Sequence, residues 1–316
     1  MNQKFEIDMI RVLSVNISEK KGTVKQPVDS ICLDEWGVKN DAHAGPWNRQ
    51  VSLLAKESVD KFSKAAGREI RFGEFAENIT TDGIILHETH PLDRFIIGET
   101  ELEVTQIGKE CHGDSCAIYR EVGNCVMPKE GIFCRVIRPG VIRPGDPIIF
   151  KEKNYKAMVI TLSDRASKGI YEDKSGPRTI AILNEFFTLQ NWKSEITHHI
   201  IPDDENELKS LLKKAKSDKT DIVITTGGTG IGPRDITPEA VRSVIDKEIP
   251  GIMELIRIKY GMEKPNALLS RSVAGVSCST LIYALPGSVK AVNEYMSEII
   301  KTIKHAVFML YGLDDH

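Results

Sequence analysis

ITTGGTGIGPRDITPEA, residues 224–240, decides how this chain folds. Ile222–Thr226, which runs into it, is apolar or β-branched throughout, the composition of a strand buried on both faces. Gly227, Gly228 and Gly230 then interrupt the run. Glycine reaches backbone angles and close approaches that any Cβ obstructs, so the chain turns here and is able to aim N–H groups at an anion. Thr237 followed by Pro238 reads as a helix start, with the threonine capping and the proline at the first helical position. Asp235 then falls just ahead of a helix at the carboxyl end of a parallel strand, where open α/β sheets bind ligands. A plain tight turn explains a lone GGTG equally well. The stretch also lacks the Lys-Ser/Thr of a P-loop and the spacing of G-x-G-x-x-G.

Two neighbouring loops weigh against the plain turn. TLSDRASKGIYEDKSGPR, residues 161–178, follows the strand KAMVITLSD with hydroxyls, Asp164, Arg165 and a Ser-Gly-Pro that opens a helix. IPDD, residues 201–204, follows the strand EITHHIIPD and puts Asp203 at a helix start, where an ordinary N-cap is the alternative role. Between the strands, Ile180, Leu183 and Phe187 recur at helical spacing, as do Leu208, Leu211 and Leu212 in ENELKSLLKKAK. Strand and helix in alternation predict βαβ units around a parallel sheet, with the three loops gathered on one edge. LSRSVAG (269–275) and LPGS (285–288) add turn and hydroxyl groups.

Upstream the pattern differs. Short alternating segments such as TELEVTQI and IFCRVI, broken by VIRPGVIRPGD, predict a mostly-β barrel or sandwich. The polar KEKNYK marks the change, which puts the boundary between Phe150 and Lys156 and the domains at 1–152 and 153–316. A length of 316 residues suits two domains. The net charge of −3 gives no electrostatic reason for a nucleic-acid partner, so an anionic ligand must be bound locally. No apolar run is long enough for a bilayer and the first residues read as a strand, not a signal, so a cytoplasmic location is expected. Of six cysteines, none forms the C-x-x-C of a structural zinc site, and disulfides are not expected in such a chain.

TLSDRAS, a Tyr-x-Asp-x-Ser-Gly, IPDD, TTGGTG-x-x-x-RD-x-TPE, LSR and LPGS, in this order over roughly residues 156–312, resemble the MogA/MoaB family of molybdopterin adenylyltransferases. The resemblance implies an α/β three-layer sandwich, usually trimeric, that uses Mg²⁺ and ATP to adenylylate molybdopterin with release of pyrophosphate. It implies catalytic and Mg²⁺-holding roles for Asp235 and Asp203, and phosphate contacts for Gly227, Gly228, Thr229 and Gly230. Ser163, Asp164, Ser175 and Gly176 would border the pterin or nucleotide pocket, together with Ser270, Pro286, Gly287 and Ser288. Arg234 pairs either with phosphate or with a neighbouring carboxylate. Phosphoryl transfer needs mainly positioning and charge neutralisation, which suits these residue types.

In the first half, NDAHAGPWNRQVSLLAKES (40–58) carries His43, Arg49 and Gln50, FAENITTDG (75–83) carries Asn78, and QIGKECHGDSCAIY (106–119) carries Cys111 and Cys116. Singly these read as a satisfied histidine, turn amides and small buried thiols. Together they resemble the MOSC domain, and the resemblance implies a β-barrel that binds molybdenum cofactor or carries sulfur through a cysteine, with molybdenum ion and pyridoxal phosphate binding also implied. Cys111, near Lys109 and His112, is the first choice for a molybdenum-binding thiolate, and Cys116 the second. Three functions remain open: an adenylyltransferase fused to a cofactor-handling domain, a non-catalytic molybdopterin binder or carrier, and a molybdenum oxidoreductase in the MOSC half.

Overall fold

A computed structural model describes residues 9–109 and 125–313. Cys111, His112 and Cys116 lie outside the described residues. The chain divides into two compact units, Met1–Lys153 and Asn154–His316.

The first unit is mostly β. Strands β1 (Arg11–Ile17), β2 (Gln26–Val28), β5 (Val51–Ala55), β6 (Ile79–Asp82), β7 (Arg94–Ile97), β8 (Thr100–Ile107), β9 (Ile132–Arg138) and β11 (Ile148–Lys151) form one sheet in the order β11-β7-β8-β9-β5-β6-β1-β2. β3 (Ile31–Asp34), β4 (Gly37–Val38) and β10 (Gly140–Ile142) form a second. Leu102 and Val104 of β8 are fully buried in a core with Val12, Leu53, Ile79 and Phe95. The expected mostly-β barrel is met only in part. β1 reaches β11 through the isolated bridge Arg11–Pro147 and the bonds Val12 N–H to Asp146 O (2.9 Å) and Ile148 N–H to Ile10 O (2.8 Å). This seam carries one isolated bridge where a closed barrel would carry a ladder. Helices α1 (Lys56–Ala66) and α2 (Met127–Glu130) cover a second small core around Phe75 and Phe133.

The second unit is an α/β sandwich. Its sheet runs β13-β12-β14-β17-β16-β15, where β12 is Asn154–Leu162, β13 Lys193–Ile201, β14 Ile222–Thr226, β15 Lys247–Glu248, β16 Val273–Ser277 and β17 Thr280–Leu285. The first four in that order are parallel, with Leu162 beside Ile201, Thr161 beside Thr226 and Thr226 beside Leu285. Their carboxyl ends therefore align. β14, β16 and β17 are buried along their whole length, as strands covered on both faces must be. On one face Met158, Ile160, Val223 and Ile282 pack against Leu208 and Leu212 of α5 (Glu205–Ser217) and Val241 of α6 (Thr237–Arg242). On the other lie α4 (Ser175–Leu189), α7 (Pro250–Glu263) and α8 (Val289–Leu310), with Tyr155 stacked on Trp192 at 4.0 Å beside Phe187.

Two expectations need correcting. The sheet is mixed, because β16 runs antiparallel to both β15 and β17. LSRSVAG is also not all turn, since Val273, Ala274 and Gly275 belong to β16. No helix among the described residues is long and apolar enough to cross a membrane.

Candidate functional site

From β12 the chain passes to β13 on one side and returns to β14 on the other, so the sheet has its topological switch point at β12. Three adjoining cavities open at the carboxyl edge there. The first, 460 Å³, is lined by Ser163, Asp164, Asp203, Gly228, Arg234 and Asp235. The second, 410 Å³, shares Ser163 and Arg165 with it and reaches Asp173, Ser175, Gly287 and Ser288. The third, 440 Å³, shares Gly228 and Asp235 with the first and is bounded by Thr229, Gly230, Ser270, Pro286 and Gly287. Gly176 and Gly227 line none of them. Their small size answers a close approach, of His198 and Asp173 at Gly176 and of the Leu162 carbonyl at Gly227.

Three carboxylates meet at the first cavity. Asp203 N–H donates to Asp164 Oδ1 at 3.1 Å and Asp164 N–H to Asp203 Oδ2 at 3.4 Å. Arg234, three-quarters exposed, pairs with Asp164. Burial pushes the Asp203 carboxyl above its ordinary value, and the charges of Asp164 and Asp235 add to the push against the Asp164 N–H and Arg234. Asp203 is not the helix cap; that role belongs to Asp204, whose Oδ1 accepts from Asn206 and Glu207 N–H at 2.9 Å each. Among the described residues, no group of three or more His, Cys, Asp or Glu is arranged to hold a metal ion. A site of one or two carboxylates matches the needs of Mg²⁺, which keeps waters and takes other ligands from substrate phosphates.

The glycine loop is fixed from several sides. Gly227 and Gly228 have φ of +106° and +63°, which L side chains rarely adopt. Thr237 does not cap α6; its hydroxyl donates to Gly227 O at 2.9 Å, and a Cβ on Gly228 would come within 2.5 Å of the Thr237 hydroxyl oxygen. Asp235 Oδ2 accepts from Gly232 N–H at 2.8 Å. Ser163 and Ser288 are caps, accepting from Ala166 and Ala291 N–H respectively, each at 3.2 Å. The hydroxyls of Ser270 and Ser272 are 2.7 Å apart.

Sequence reasoning missed Asp173. Its Oδ1 accepts from Ser175 N–H and hydroxyl, each at 2.9 Å, and from Gly176 N–H at 3.1 Å. Its Oδ2 accepts from the Thr161 hydroxyl at 2.7 Å and lies 3.2 Å from His198 Nε2. Burial opposes ionisation here, yet the bonds from Thr161, Gly176 and Ser175 hold this carboxyl below its ordinary value. Asp173 therefore already occupies the first N–H groups of α4. The Tyr-x-Asp-x-Ser-Gly spacing was the available signal, since an Asp two residues before a helix start is placed to do this.

In the first unit, Asp41 is buried against Lys25 and accepts from the backbone N–H of Ser18 and His43, each at 3.0 Å. His43 Nδ1 lies 3.3 Å from Asp41 Oδ1 and is partly exposed. Burial notwithstanding, His43 and Lys25 hold the Asp41 carboxyl far below its ordinary value, so it pairs with Lys25 as an anion. Gln50 bridges Glu35 O (2.9 Å) and Val136 N–H (2.7 Å). Asn78 bridges Asn16 O (3.2 Å) and Ser52 N–H (3.1 Å). Both amides are thus committed to the backbone. Arg49 is exposed.

Together, the switch-point cleft and its loops define an α/β ligand-binding domain joined to a β unit. Residues 158–305 match the family model described as "Probable molybdopterin binding domain", and residues 40–149 match the MOSC domain. A molybdopterin adenylyltransferase of Helicobacter pylori is 41% identical over 155 residues, 49% of this chain and 86% of that protein. Molybdenum cofactor biosynthesis protein B of Staphylococcus epidermidis is 38% identical over 157 residues, 48% of this chain and 86% of that one. Gephyrin of Dictyostelium discoideum is 36% identical over 166 residues, 51% of this chain but only 23% of gephyrin's length. The chain belongs to the MogA/MoaB family of molybdenum cofactor biosynthesis proteins through its second half, and it carries a MOSC domain before it.

Proposed function

We propose that the second unit adenylylates molybdopterin. A phosphate oxygen of molybdopterin attacks the α-phosphorus of ATP, a new P–O bond forms, and the bond to the β-phosphate oxygen breaks to release pyrophosphate. The observation that carries the reading is that Asp203, Asp235 and the glycine loop border one cavity at the switch point. Mg²⁺, held by Asp203 and Asp235 together with phosphate oxygens, would neutralise charge on the polyphosphate. The chain's own part is to position the reactants: Gly228, Thr229 and Gly230 offer backbone, and Ser163, Ser175 and Ser288 bring hydroxyls to the adjoining cavity. Asp235→Asn should lower the rate by ~10²-fold or more, the scale for one preorganised charge-stabilising group. Pyrophosphate release at the wild-type rate by that variant would reject the assignment.

The unit works as a trimer in this reading. Leu255, Ile258 and Met262 of α7 are 55%, 60% and 84% exposed at helical spacing, with Leu268 and Leu269 also exposed. Such an apolar stripe needs a partner. The first unit would bind, carry or modify the molybdenum cofactor. Among the described residues, the partly exposed His43 and the exposed Arg49 are the groups we assign to it, because the Gln50 and Asn78 side chains are buried and bonded to the backbone. A second reading, binding without turnover, is favoured by the relative described only as a biosynthesis protein B. Pyrophosphate release separates the two.

A further inference from the structure

Arg271 follows the turn Pro265–Leu269, far along the chain from the glycine loop, yet it gathers that loop. Its backbone N–H donates to Thr229 O at 2.8 Å. Its Nε donates to Gly230 O and its Nη2 to Asp235 O, each at 2.6 Å, and its Nη1 pairs with Glu239 in the first turn of α6. One residue thereby takes up three carbonyls of one loop.

The consequence lies on the opposite side of each peptide. In a planar trans peptide the carbonyl of one residue and the N–H of the next point in opposite directions. Holding Thr229 O and Gly230 O toward Arg271 turns the N–H groups of Gly230 and Ile231 away from it. Both residues line the third cavity, and neither N–H donates to any group among the described residues. Unpaired N–H groups on successive residues make a ready anion site.

We infer that Arg271 is the positioning residue of this loop: it orients the Gly230 and Ile231 N–H groups toward a bound polyphosphate, and Glu239 holds its guanidinium in place. The inference rests on the adenylyl-transfer reading for the identity of the anion. Lysine cannot substitute, because one ammonium does not span Gly230 O, Asp235 O and Glu239 as a planar fork does. Arg271 also ties Asp235, through its carbonyl, to the same clamp, so displacement of the loop reaches the carboxylate. A misplacement of ~1 Å at such a site costs on the order of 10²-fold in rate.

The test uses the full chain and inorganic pyrophosphate. Calorimetry gives affinity, and hydrogen exchange followed by mass spectrometry reads the segment 227–236 with and without pyrophosphate. In the wild type, pyrophosphate should slow exchange in that segment. Arg271→Lys should melt as the wild type does, bind pyrophosphate at least ~10-fold more weakly and show faster exchange there. Glu239→Gln, which leaves the arginine in place, should show the same direction with a smaller effect, and it carries the test if Arg271→Lys fails to fold. Wild-type affinity and exchange in the variants would overturn the inference, as would a wild-type segment that does not respond to pyrophosphate. A chain that binds pyrophosphate through this loop but transfers no adenylyl group would reject the enzyme reading and leave the clamp standing.

Discussion

Asp164 and Asp203 hold each other across the ends of two parallel strands, each carboxylate accepting the other's backbone N–H, at 3.1 and 3.4 Å. The position of Asp203 in the cleft therefore depends on Asp164. Asp164→Ala removes that acceptor and the partner of Arg234 together, whereas Asp164→Asn keeps an acceptor oxygen. We expect a loss of ~10–100-fold in pyrophosphate release for the alanine variant and a smaller loss for asparagine. Equal rates for the two would show that the reciprocal bonds do not matter.

Glu77 gives the first unit a pH dependence of known sign. It is fully buried, its Oε1 accepts from Gly73 N–H at 2.5 Å and the Thr80 hydroxyl at 3.1 Å, and its Oε2 has no partner among the described residues. Burial pushes its pKa up to about 7 from 4.5. The unfolded chain releases this proton near the ordinary value while the folded chain keeps it to about 7. Stability should therefore fall as pH rises through that window and level off above it, by roughly 3 kcal/mol in all. Hydrogen-exchange free energies at Asn16 and Asn78, whose amides bond across the sheet, report the fall in the full chain. Glu77→Gln should abolish it, and a flat profile in the wild type would contradict the account.

Assembly is tested at Ile258, 60% exposed in the middle of the α7 stripe. A charge there cannot be buried without a partner. Light scattering should give a trimer for the wild type and a smaller species for Ile258→Glu, with α/β circular dichroism retained. A wild-type monomer at micromolar concentration would rule out the assembly.

Much of the second unit was legible because its signals are local. Ile222–Thr226 is a buried strand, Leu208 and Leu212 share a buried helix face, and three loops lie at one sheet edge. The β16–β17 hairpin escaped because Cys278, not glycine or asparagine, takes the left-handed conformation of its turn, at φ +54°. Asp203 and Asp204 were indistinguishable as caps from sequence, since either precedes the helix closely enough. Asp173 with His198, and Arg271 with the glycine loop, are contacts between distant segments. No periodicity reports such pairs. In the first unit, the MOSC resemblance singles out Gln50 and Asn78 for cofactor binding, whereas their bonds to the backbone, made by distant segments, give them a structural role.

The most direct test of the central claim is the mass of the pterin product after the full chain is incubated with molybdopterin and Mg-ATP. Adenylylated molybdopterin, formed in equal amount with pyrophosphate and absent with Asp235→Asn, is the result expected from carboxylates and a glycine loop sharing one cavity. Molybdopterin bound tightly but recovered at unchanged mass, with no pyrophosphate released, would contradict it and make the second unit a binding domain.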